Sequence, residues 1–134
     1  MNRSRCLLAT CVAVALVAAS ISLSASAHHS GAQFDQKDQV EVAGVVTKVE
    51  WTNPHARLYV SARDERGADV AWEFELPSVN HLLREGWTTH ALGVGDKVTV
   101  QGARARAFPT VALATHVTDA GGKKLFMRSP TSGQ

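Results

Sequence analysis

Cysteine is nearly absent: the 134 residues contain only Cys6 and Cys11. Both fall in an N-terminal stretch that reads as a removable leader, so the remaining chain can be neither disulfide-stapled nor a thiolate metal site. Excess charge of one sign is also missing. The chain has 14 Lys and Arg against 12 Asp and Glu, and two of the basic residues, Arg3 and Arg5, lie in that leader. What is left is balanced at 12 against 12, with no basic cluster, and the neutralisation of phosphates that supplies most nucleic-acid affinity has no source. Catalytic signatures are absent too. No G-x-S-x-G, H-E-x-x-H or GxxxxGK[ST] occurs, which points to a protein that is not an enzyme, with a metal-dependent enzyme as a distant third reading. Long apolar runs are limited to one, residues 6–17, broken by Thr10.

That run follows Arg3 and Arg5 and ends in small residues closing with Ala25-Ser26-Ala27, the pattern of a Sec signal peptide with an A-x-A cleavage site. A membrane-spanning helix needs about 20 apolar residues, more than the run supplies, so export with cleavage and no membrane insertion is expected. Cys11 has too few apolar residues before it for a lipoprotein box, and Thr10 is large for the preceding position. The expected products are a signal peptide at 1–27, an extended arm at 28–38, a β-domain at 39–127 and a polar tail at 128–134, located in the periplasm or secreted.

Periodicity organises the rest. Residues 40–51 read as a first strand whose alternation changes phase, Val40 and Val42 having one parity and Val49 and Trp51 the other, which predicts a bulge or bend near Gly44-Val45. After the corner Trp51-Thr52-Asn53-Pro54-His55, a second strand alternates Ala56, Leu58, Val60 and Ala62 with polar neighbours. A loop at 64–69 leads to a third strand carrying Val70, Trp72, Phe74 and Leu76. Ser78 caps a short helix stopped by Gly86. Residues 97–103 form a fourth strand; a fifth follows Pro109, with Val111, Leu113, Thr115 and Val117 expected on one face; Leu125-Phe126-Met127 returns as a short sixth. Three strands, a helix, then two or three strands in so short a chain predict an all-β, five- to six-stranded OB-fold-like Greek-key barrel with the helix between strands three and four; an open sandwich or another small barrel is the alternative.

The opening HHS with FD after it, G-V-V-x-x-V-E-W, NPHARLYV, W-E-F-E-L, Gly86-Trp87 and GDKVTVQG together resemble a family of small exported bacterial proteins of unknown function, over residues 28–125. Gly31 and Arg57 stand where that pattern has aromatic residues. The resemblance implies an exported β-barrel and brings no activity, substrate or cofactor with it.

All six histidines follow the leader. Neutral imidazole suits copper and zinc. Cleavage after Ala27 makes His28 the N-terminal residue, so its amine and ring can chelate together; cleavage one residue earlier leaves a histidine third, which also favours copper(II). His28, His29 and His55 are therefore the candidate metal ligands, weighed against a solvated N-terminus. Asn53, Arg57, Tyr59, Glu73 and Glu75 are candidates for a ligand or partner surface, because OB-type barrels commonly bind on and around strands two and three. The same corner also reads as a rigid connector, since Pro54 restricts Asn53 and Trp51 can cover the turn. Two functions follow from these residues: a periplasmic binding module for a metal ion or small polar ligand, or an adaptor that docks onto an envelope partner and takes no small ligand.

Overall fold

The computed structural model describes residues 31–127. Among them the backbone forms β1 (Phe34–Glu50), β2 (Arg57–Arg63), β3 (Asp69–Glu75), a helix α1 (Val79–Arg84), β4 (Lys97–Ala105), β5 (Val111–Asp119) and β6 (Lys124–Met127). The sheet order is β3-β2-β1-β4-β5-β6, and a parallel pairing of β3 with β5 joins the two arms into a five-stranded ring with β6 on its edge. This is an all-β fold of the connectivity expected from the order of elements, and ring closure sets aside the open sandwich.

Closure depends on β1 pairing on both sides. Its first part runs antiparallel to β4 and its second part to β2, and Val45 faces Lys97 on one side and Ser61 on the other. The register against β2 slips between Val46 and Lys48, leaving Thr47 as the extra residue. The phase change anticipated at Gly44-Val45 therefore sits two to three residues later. Val40, Val42 and Val46 all point into the core on one parity, and Val49 and Trp51 take over the inner face only after Thr47.

β1 also begins earlier than the alternation suggests. Phe34, inside the expected arm at 28–38, pairs with Ala105, and the next pair is Gln39 with Ala103, so four residues of β1 bulge out opposite Arg104 alone. Phe34 is buried against Ala103 and Ala105, with Val111 and Leu113 beside them, and this contact extends both β1 and β4 past their expected ends.

The inner core contains Val46, Leu58, Val60, Phe74, Leu76, Val100 and Val117, all essentially without exposure. On β5 the expected face is reversed at its start: Ala112 and Ala114 are the buried residues, and the inner face passes to Val117 only beyond Thr115. The cause is a second register shift, in which Gln101 pairs with His116 and Gly102 with Ala114, leaving Thr115 unpaired. Val111 and Leu113 thereby face outward, toward Phe34.

α1 and the loop after it close the core through Leu82, Trp87 and Leu92. Ser78 caps the helix, its Oγ accepting from the backbone N–H of His81 at 3.3 Å, and Gly86 ends it with a φ of 88°. Ser78→Ala is expected to cost about 1 kcal/mol, read as a shifted urea midpoint at constant m.

Candidate functional site

The corner after β1 is built by backbone pairing that outlasts the strands themselves. Ala56 N–H donates to the Pro77 carbonyl at 3.1 Å, and Leu76 N–H donates to the Ala56 carbonyl at 2.9 Å. These bonds continue the β2–β3 register, in which Arg57 faces Glu75, and bring the residue two before Arg57 alongside the same carboxylate. His55 Nδ1 stands 2.9 Å from Glu75 Oε1, with the two side chains 35% and 19% exposed. Asn53 and Pro54 are exposed, and the peptide bond joining them is cis. Thr52 braces the turn with its side chain, Oγ1 donating to the His55 carbonyl at 3.3 Å. Trp51 packs edge-on to Trp87 with ring centroids 6.4 Å apart.

Beyond the corner, the outer surface of β1, β2 and β3 is a polar lattice of neighbouring pairs. Arg57, Tyr59, Glu73 and Glu75 share it, as the two-residue period requires. Arg57 Nε lies 3.3 Å from Glu73 Oε1. Both groups are substantially exposed, so the pair contributes at most about 1 kcal/mol. Two residues that the sequence reading left out join them. Tyr59 donates its hydroxyl to Glu50 Oε2 at 3.1 Å, and Lys48 bonds the other oxygen of that carboxylate while its ammonium lies 5.3 Å from the centre of the Tyr59 ring. Lys48 and then Tyr59 hold the Glu50 carboxyl below the usual carboxylate range. Burial, followed by the bond to Glu50, pushes the Tyr59 phenol up. Lys48 and Glu50 reach this face only because the bulge at Thr47 turns them outward.

The remaining described histidines look elsewhere. His81 faces Glu85 at 3.9 Å, His90 Nδ1 lies 3.3 Å from Thr89 Oγ1, and His116 Nδ1 lies 3.3 Å from Thr115 Oγ1. His28 and His29 lie outside the described residues. Among the described residues no three His, Cys, Asp or Glu side chains converge as a ready metal cluster, so His55 with Glu75 offers at most part of one. No helix among them is long and apolar enough to cross a membrane.

A closed ring of strands around an apolar core, polar on the outside of β1–β3 and carrying a histidine–carboxylate pair at its first corner, defines a small, mostly antiparallel all-β domain with one short helix. The chain belongs to a family of unknown function, DUF6152, which matches residues 15–114. The match starts upstream of the stretch singled out by the motifs and ends within β5. None of the curated proteins matches the chain.

Proposed function

We propose that this domain is a non-enzymatic periplasmic binding module that takes a copper(II) or zinc ion, with His55 Nε2 as one ligand and His28 and His29 as the others. The observation that carries this reading is the 2.9 Å contact between His55 Nδ1 and Glu75 Oε1. A metal-binding histidine characteristically donates its other ring N–H to a carboxylate, which fixes the tautomer, aims the free nitrogen and raises its basicity. Glu75 is placed to do this from the neighbouring strand. Nε2 has no protein partner among the described residues, and the side chain is partly exposed. Imidazole suits either metal, and no thiolate is left to compete once the leader is gone.

The test is a titration with copper(II) and, separately, zinc, on protein purified from its own cell envelope with its native N-terminus. One equivalent is expected to bind. Glu75→Gln should weaken binding by about 10- to 100-fold, as loss of a carboxylate behind a ligand does, and His55→Ala and His28→Ala by more. Affinity unchanged in His55→Ala would overturn the reading. A metal-free protein that co-purifies with a stable envelope partner would point to the adaptor instead.

A further inference from the structure

A second constellation lies away from the corner, where the four-residue bulge of β1 faces the end of β4. Asp35, Asp38, Arg104, Arg106 and Pro109 line a cleft of about 350 Å³, at the small end of the range for ligand sites. We infer that this cleft binds a small zwitterion, a free amino acid or short peptide, by its two charged termini.

Charge and rigidity support the inference. The cleft presents two guanidinium groups and two carboxylates, so a lone anion or cation would meet as much repulsion as attraction. A molecule carrying both signs meets an opposite charge for each of its ends. Arg104 is the fixed wall: Nε lies 3.0 Å from Asp38 Oδ2, Nη1 bonds the Pro109 carbonyl, and the guanidinium sits 5.3 Å from the centre of the Trp72 ring. Arg106 is the adaptable one. Its backbone N–H is tied to the Gln33 carbonyl at 2.9 Å, while its side chain spends only Nη1, on Asp35 Oδ2 at 3.2 Å. That leaves Nε and Nη2 of Arg106 without a protein partner among the described residues, a planar pair of donors of the kind that grips a carboxylate at both oxygens. Asp38 is half-exposed, so the ligand's ammonium can reach it without a buried charge being uncovered. Ala105 and Ala107 complete the lining with small side chains.

The experiment is an amide-resolved NMR titration of the ¹⁵N-labelled protein with L-alanyl-L-alanine, its N-acetyl form and its C-terminal amide. The expected result is saturable shifts at Asp35, Asp38, Arg104, Arg106 and Ala107 with a dissociation constant in the millimolar range, weakened about tenfold or more by either cap and by Arg106→Ala. No shift at these amides, or equal binding of either capped form, overturns the proposal. Retained affinity in Arg106→Ala overturns it as well. Arg106 is largely exposed and its variant should keep the wild-type spectrum elsewhere; if it does not, the capped peptides on the unaltered protein decide. None of these residues contributes to the His55–Glu75 pair, so failure here leaves the metal reading standing.

Discussion

Trp87→Ala is expected to lower the stability of the domain by about 4 kcal/mol, a large part of the 5–15 kcal/mol that holds a small domain folded. Trp87 lies outside every strand and helix, yet it is only 3% exposed. Its ring meets Trp51 of the corner edge-on and meets Phe126 of β6 with centroids 6.5 Å apart and planes at 85°. Its indole N–H donates to the Leu125 carbonyl. The backbone holds it in place, since Trp87 N–H donates to the Leu82 carbonyl at 2.9 Å directly after the left-handed Gly86. One side chain thus joins the end of α1, the first corner and the edge strand. Removing it opens a cavity between three segments that are distant in sequence and orphans a carbonyl. Trp87→Phe separates the two contributions: it keeps most of the ring contact and should cost about 1–2 kcal/mol, mainly from the lost hydrogen bond. Urea unfolding followed by tryptophan fluorescence gives both numbers. An unfolding free energy of Trp87→Ala within 1 kcal/mol of wild type would mean that the corner and β6 do not depend on this residue.

The weight carried by Trp87 also marks where sequence reading stops. In the sequence it appears only as half of the Gly86-Trp87 motif after the helix, with nothing to mark it as core, because a side chain in a loop has no period to betray its burial. The strands were legible for the opposite reason. Leu58, Val60, Phe74 and Leu76 alternate without interruption and are all buried. Alternation fails at the bulges. Across Thr115 the inner face changes parity, so Val111 and Leu113 turn away from the face of Val117 with which simple alternation groups them, whereas the phase change of β1 is legible in Val49 and Trp51 and only its position, at Thr47, is not. The candidate site divides in the same way. Arg57, Tyr59, Glu73 and Glu75 share a face by period alone, whereas the pairing of His55 with Glu75 depends on the β2–β3 register and on two backbone bonds beyond the strands. The cleft at Arg104 and Arg106 had no sequence signal, because it exists only where four residues of β1 are looped out against one residue of β4.

Gly44→Ala is the other substitution with a large expected effect, about 3 kcal/mol, and its cause is contact and not conformation. Gly44 pairs with Val98 on β4 just before β1 turns to β2 for its partner. A Cβ added there would stand 2.6 Å from Val60 Cγ1 and closer still to the Ser61 carbonyl oxygen, so the side chain would press on β2 itself. Val60 is a core residue and Ser61 is held in the β1–β2 ladder, so neither can withdraw without loosening the place where β1 changes partners. Gly67 provides the contrast. It sits in the β2–β3 loop with a φ of 79° and no neighbour within 4 Å of an added Cβ. Gly67→Ala therefore incurs only left-handed backbone strain, about 1–2 kcal/mol. At roughly 4–8 °C per kcal/mol for a domain of this size, Gly44→Ala should melt well over 10 °C below wild type and clearly below Gly67→Ala. Equal melting temperatures for the two variants would show that β1 can move off β2 at little cost. Gly44→Val, which adds two methyl groups at the same point, should then fold as well as Gly44→Ala. If the ring depends on this close approach, it should not fold at all.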